Sequence, residues 1–480
     1  MNEAKRLRIE FGDFQTSINL AAKVCQKLKK LGIEPKYVIE PTCGIGAFIL
    51  AANDIFEGAS SFFGFEKNQE YLAKLKQEIS KRKAKKVVLK NVDFFEHDWE
   101  KEIGTLKGSI LVIGNFPWVT NSEQGAIGGK NLPLKTNFLK QSGFDSISGK
   151  SNFDISEWML LEVLKWFKHK SGTVAMLLKT SVARKILAHA KHQSLPLTQS
   201  YLFRIDAKKE FNASVEACLL VMRLDATASH FEYDYVVHES IENPVCRKVG
   251  NRSGHSISNM ELYEKNFFLF GDSPQKWRSG VKHDCSSVME FSKDGEILVN
   301  GLGERVNIEE DYLYPLFKGS DIGSGKGWRK KYILVTQRKV GECTDPIRSL
   351  APLTWKYLEK FASQLDARSS TIYLKNPRFS VFGVGEYTFM PWKIAICGLY
   401  KSLQFRLIGP IEGKPVVFDD TVYCVSFDSE VQAKKVFSMI TSREATDFLG
   451  SLIFWDEKRP VKASVLNTLD WNKLQTKLQD

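Results

Sequence analysis

The chain has 480 residues, 43% of them hydrophobic and 26% charged, a balance that builds globular cores and excludes a disordered or fibrous chain. That length divides into two or three domains, and the apolar runs stop short of the roughly 20 residues a membrane-spanning helix needs. An excess of 68 Lys and Arg over 56 Asp and Glu, +12 overall, favours a polyanionic partner, because each neutralised phosphate releases condensed counterions.

The opening MNEAKRLRIEFGDF mixes charge signs and lacks an apolar core. It does not read as a secretion signal, and a cytoplasmic protein is expected. Eight scattered cysteines form no C-x-x-C pair, and the eight histidines, all before residue 284, show no ligand spacing. Free thiols and no metal are therefore expected.

Over the first 225 residues β-branched apolar runs alternate with amphipathic stretches. The pattern predicts strands over 37–40, 61–66, 87–93, 109–114, 172–179, 201–206 and 215–224, and helices over 18–31, 69–82, 154–167 and 181–192. Such alternation implies an α/β fold with a doubly wound, mostly parallel sheet and ligands at the carboxyl ends of its strands. The Gly-, Ser- and Asn-rich stretch 121–151 has no periodicity and is expected as a loop, either closing over a substrate or solvated. After about residue 225 the pattern turns to irregular strands and turn signals, so the domains are expected at 1–230 and 231–480.

The residues at the strand ends carry chemistry. YVIEPTCGIGAF places Glu40 at the end of the first strand, and after it a small-residue turn where a ligand can approach backbone amides at a helix start. GFEKN ends the second strand in Glu66, an acid placed to accept from ribose hydroxyls. VDFF ends the third in Asp93, an acceptor for an adenine amine, and Phe94, a ring to stack on it. An ammonium, a ribose diol and an adenine together describe S-adenosyl-L-methionine.

The fourth strand ends in NFPW. The lone pair of a nucleobase exocyclic amine is delocalised into the ring. The Asn115 side-chain oxygen and the Phe116 carbonyl would draw it back by accepting the amine hydrogens. Pro117 fixes φ, and Trp118 offers a face for the base. The site needs no histidine, because the proton can leave after methyl attack.

This ordered series resembles the gamma class of S-adenosylmethionine-dependent DNA amino-methyltransferases, the TaqI-like adenine-N6 enzymes of restriction-modification systems. FGDFQTSINLAAKVC is similar to the family's opening helix, EPTCGIGAF to its glycine motif, GFEKN and VDFF to its ribose and adenine acids, and NFPW to its catalytic loop. KSNFDISEWMLLEVL and FNASVEACLLVMRL resemble the next motifs, so the likeness spans about residues 10 to 225. It implies a Rossmann-like methyltransferase domain, then a mixed α+β target-recognition domain. Thr16, Glu40, Thr42, Gly44 and Gly46 would surround the methionine part of the cofactor, with Glu66 at the ribose and Asp93 and Phe94 at the adenine. Either Trp158 or Met159 would touch the cofactor. Asn115, Phe116, Pro117 and Trp118 would form the catalytic loop, with Trp118 and Phe211 sandwiching a flipped adenine. The family usually has proline where this chain has Phe116, a departure that bears on loop stiffness.

Stretches of the carboxyl half resemble the family's target-recognition regions, and basic residues there interleave with aromatics, as on a DNA face. Arg329 with Lys330, and Arg368 with Ser369 and Ser370, are expected to contact phosphates or base edges. The partners expected are double-stranded DNA and a separate cognate restriction endonuclease, with no membrane and no metal. Cytosine N4, structured RNA and protein glutamine are the alternative methyl acceptors.

Overall fold

The computed structural model describes residues 15–82, 86–118 and 154–479. The stretch 121–151 lies outside them. The chain clusters into two compact units, Met1–Ser256 and Ile257–Asp480.

The first unit is built on strands β1 (Tyr37–Glu40), β2 (Ser61–Glu66), β3 (Val87–Asn91), β4 (Ile110–Asn115), β5 (Gly172–Lys179), β6 (Leu197–Ile205), β7 (Ala217–Leu224), β8 (Tyr235–His238), β9 (Cys246–Arg252) and β10 (His255–Ile257). They form one sheet in the order β10-β9-β8-β6-β7-β5-β4-β1-β2-β3. From β3 to β5 the strands are parallel, and β7 inserts antiparallel between β5 and β6. The helices are α1 (Ile18–Lys30), α2 (Ala47–Ile55), α3 (Gln69–Ser80), α4 (Trp99–Gly104), α5 (Ile155–Lys165), α6 (Thr180–His192) and α7 (Ala207–Phe211).

Local chemistry sets these elements. Ser17 caps α1 by accepting from the Leu20 N–H, and Leu20, Val24 and Leu28 bury one face of it. Asn68 caps α3 by accepting from Glu70 and Tyr71 N–H groups. In β4 every residue from Ile110 to Gly114 is buried, as a central parallel strand covered on both faces requires. The chain leaves β1 toward β2 and β3, then returns to β4 on the other side of β1. The carboxyl ends of β1 and β4 therefore flank the switch point where ligands bind in open α/β sheets.

Several boundaries differ from the sequence reading. β3 stops at Asn91, which leaves Asp93 in the following turn, and β6 starts at Leu197 instead of 201. The expected domain boundary at 230/231 falls inside the first unit. There β8 pairs parallel with β6 and β9 pairs antiparallel with β8, so the sheet continues past that boundary.

The second unit is mixed α+β. Its strands are β11 (Arg278–Ser279), β12 (Glu290–Asp294), β13 (Ile297–Asn300), β14 (Arg305–Val306), β15 (Leu313–Phe317), β16 (Lys331–Leu334), β17 (Trp392–Cys397), β18 (Arg406–Ile408), β19 (Val417–Phe418) and β20 (Val422–Phe427). They make a six-stranded sheet, β14-β13-β12-β16-β15-β19, and a four-stranded one, β11-β20-β17-β18. One core gathers Trp277, Ile394, Phe427 and Phe448, another Met289, Phe291, Tyr357 and Phe379. Among the described residues no helix is long and apolar enough to cross a membrane, and no group of ligands could hold a metal.

Candidate active site

Glu40 ends β1 with its carboxylate almost fully buried, 3% exposed. The Ile49 N–H donates to one oxygen at 3.0 Å. No Lys or Arg among the described residues pairs with it, and burial, reinforced by the nearby Glu66, pushes its carboxyl well above the usual range. The same turn holds the Thr42 hydroxyl, buried with no hydrogen-bond partner among the described residues. A ligand with an ammonium group and polar atoms would satisfy both.

The glycines of this turn have different reasons to be glycine. Gly44 has φ +51 and Gly46 φ +83, the left-handed region where a Cβ is costly. A Cβ on Gly46 would also lie 2.3 Å from Leu75 Cδ1, so this glycine lets α2 start close against α3. The Gly44 N–H donates to Glu66 Oε2 at 2.9 Å, and the Asn68 N–H to Oε1 at 2.8 Å. Two backbone donors thus orient the Glu66 carboxylate at the tip of β2.

Asp93, in the turn after β3, accepts from the Phe95 N–H at 2.9 Å and pairs with Lys67 Nζ at 2.7 Å. Phe94 is buried against Phe95, Trp99, Phe116, Trp158 and Trp166. Of the two residues expected at the cofactor from α5, half-buried Trp158 joins this aromatic group, with ring centroids 6.4 Å from Phe94. Met159 is fully buried.

Asn115 ends β4 beside β1: a Cβ on the neighbouring Gly114 would lie 3.5 Å from Glu40 Cγ. The Asn115 amide donates to Thr16 Oγ1 at 3.4 Å, which joins the start of α1 to the end of β4. Phe116 is 1% exposed, with its ring edge-on to Phe94 at 5.6 Å. Trp118 donates through Nε1 to the Leu177 carbonyl at 3.3 Å, and its ring meets Phe211 at 4.9 Å and 70°. The structure thus gathers Asn115, Phe116, Trp118 and Phe211 at one end of the sheet.

Sequence reasoning missed the ion pairs that brace this end. Asp154 caps α5 and pairs with Lys179 Nζ at 2.8 Å at the end of β5, and fully buried Glu157 pairs with Lys185 Nζ at 2.9 Å. The signal was two acids three residues apart at a helix start, in DISE.

In the second unit the expected DNA contacts divide. Arg329 and Lys330 are exposed, and Arg329 pairs with Asp321 at 2.5 Å. Ser369 is exposed and Ser370 half-buried. Arg368 is corrected: it is 9% exposed, and its guanidinium donates to the carbonyls of Leu365, His283 and Ser380. It holds the protein's own backbone and does not face solvent. Lys393, another of the basic residues that interleave with aromatics in this half, is buried and donates to the carbonyls of Thr388, Met390 and Val416.

No family model matches the chain. Among solved structures it is similar to a putative class I S-adenosylmethionine-dependent methyltransferase from Listeria monocytogenes, with 11% identity and a TM-score of 0.34 over 48% of this chain and 67% of that one. It is also similar to a type I restriction-modification system methyltransferase subunit from Streptococcus thermophilus, with 14% identity and a TM-score of 0.32 over 53% and 52%. Its sequence is 49% identical over 472 residues to the Type II methyltransferase M.NspV of a Nostoc species, covering 98% of each chain. S-adenosyl-L-methionine is the expected cofactor, and the buried carboxylate of Glu40, which no described Lys or Arg pairs with, suits its ammonium. With that identity running through both units, the chain belongs to the Type II methyltransferases.

Proposed function

We propose that the protein is a gamma-class DNA methyltransferase of a restriction-modification system, acting in the cytoplasm on the N6 amine of an adenine flipped out of duplex DNA. The observation that carries this reading is the grouping of Asn115, Phe116 and Trp118 at the end of β4, beside Glu40 and against Phe211. S-adenosyl-L-methionine supplies an electrophilic methyl group on a sulfonium. Glu40 and Thr42 would hold its methionine part, along with Thr16, Gly44 and Gly46. Glu66 would hold the ribose, and Asp93 and Phe94 the adenine.

The Asn115 side-chain oxygen and the Phe116 carbonyl would accept from the target amine and free its lone pair for attack. Extruding a base costs a few kcal/mol, and stacking returns about 1–3 kcal/mol. Trp118 and Phe211, now edge to face, would open to admit the base. The unit 257–480 would select the DNA sequence, and a separate endonuclease would cut the unmodified site.

Modified-base sequencing of DNA from cells expressing the wild type and Asn115→Ala tests the reading. A mark on adenine lost in the variant is expected. A mark that persists in Asn115→Ala refutes the site, and N4-methylcytosine after nucleoside digestion refutes the target base.

A further inference from the structure

From Ala367 to Gly385 the chain contains no Asp or Glu, and the segment 326–339 holds six Lys and Arg and no acid. Side chains fasten these two stretches together. The Thr336 hydroxyl donates to the Phe379 carbonyl at 2.8 Å, and the Val381 N–H donates to Gln337 Oε1 at 3.0 Å. Just past that segment, the Thr344 hydroxyl donates to the Arg378 carbonyl at 2.6 Å. On the other limb of the loop between them, Arg368 lies 3.7 Å over the Tyr373 ring while its guanidinium grips three carbonyls. The Asn376 amide closes the tip by donating to the Ile372 carbonyl at 2.7 Å.

Phe379 sits at φ +63 with its side chain 1% exposed. A bulky residue rarely takes that conformation, and it persists only where the surroundings over-determine the backbone. The loop is therefore a rigid structure. What it holds out is Leu374, 79% exposed, with exposed Lys375 beside it. A leucine so exposed gives nothing to the core. Lys330, Lys339 and Lys375 are exposed and form no ion pair among the described residues, whereas Arg378 is tied to Asp366 at 2.6 Å. Leu374, with Lys375 beside it, calls for a partner that is anionic outside and offers apolar groups, such as thymine methyls, between its charges.

We propose that the loop Ser369–Arg378 is a duplex-reading probe, in which Leu374 enters a groove and packs on base edges while Lys375 holds a flanking phosphate. This rests on the reading of the protein as a DNA methyltransferase. Arg368, Tyr373 and Phe379 are its positioning residues.

The test begins with sequencing of modified bases from cells expressing the full chain, which yields the methylated motif. Binding of purified full-length wild type, Leu374→Ala and Lys375→Ala is then measured to one duplex carrying the motif and one lacking it, at two salt concentrations. Leu374→Ala should lose about tenfold or more on the motif duplex and change less than twofold on the other. Lys375→Ala should weaken both alike and lower the salt slope by about one. An unchanged ratio between the duplexes in Leu374→Ala overturns the probe and leaves the enzyme reading intact. The same result with a change in oligomeric state overturns it in favour of a protein contact. A wild type that marks no DNA overturns both.

Discussion

Glu40→Gln should stabilise the cofactor-free protein and weaken cofactor binding in the same variant. The wild-type carboxylate is buried with one backbone donor and, among the described residues, no cation. Its pKa lies above the ordinary 4.5 of a glutamate, so its contribution to stability is fully present below that value and is lost as the pH rises. Glutamine keeps the bond from the Ile49 N–H to its amide oxygen but removes the buried charge. The gain should be small at pH 5 and grow to about 1–3 kcal/mol at pH 8, the scale of leaving a buried polar group underpartnered. Binding moves the other way. A charge-assisted bond to the ammonium is worth about 1.5–3 kcal/mol, so the Kd for S-adenosyl-L-methionine should rise roughly 10- to 150-fold. Urea unfolding of the cofactor-free proteins at pH 5 and 8, with calorimetric titration of the cofactor, measures both. A variant less stable than wild type at pH 8, or one with unchanged affinity, refutes the assignment of Glu40 to the ammonium.

Three further outcomes follow from packing and charge. Phe116→Ala empties a fully buried ring position and should cost about 3–5 kcal/mol, read as a lower Tm by calorimetry. Lys185→Met strands the Glu157 carboxylate, buried to 0%, and should cost about 3–5 kcal/mol at pH 8. Burial already raises the Glu157 pKa, so the deficit should narrow as the pH falls and Glu157 protonates. Adding Glu157→Gln should recover most of it in denaturant melts. Arg368→Ala releases three carbonyls and a ring stack and should cost about 2–4 kcal/mol. Below its Tm, Arg368→Ala added to Lys375→Ala should leave the salt slope for DNA where Lys375→Ala alone puts it, and a further drop of one would restore Arg368 as a phosphate contact.

The first unit was legible because its strands are short apolar runs bounded by turns, and because the residues at their ends are of types a buried strand does not need. Glu40, Glu66 and Asn115 stood out for that reason, and the structure puts each at a carboxyl strand end. What escaped depends on contacts distant in sequence. The extension of the sheet through β8 and β9 is fixed by pairing with β6, and the turn-rich sequence around it gave no sign of that. The burial of Arg368 and Lys393 was equally hidden. A basic residue among aromatics reads the same whether it faces a phosphate or three carbonyls of its own chain, and only the tertiary fold decides.

Phe116 shows how a departure from a family pattern can be repaired by packing. A proline stiffens a loop by fixing φ; a phenylalanine leaves φ free. Here the ring is 1% exposed and set edge-on against Phe94, an arrangement worth about 0.5–1.5 kcal/mol beyond its burial. Moving the Phe116 carbonyl would require moving that ring out of a close-packed interior, where voids and overlaps are both costly. Stiffness is thus supplied by the side chain in place of the backbone ring. The same contact ties the loop after β4 to the aromatic group after β3, so that order in the turn of Asp93 and Phe94 is transmitted through Phe94 to the carbonyl proposed to face the target amine.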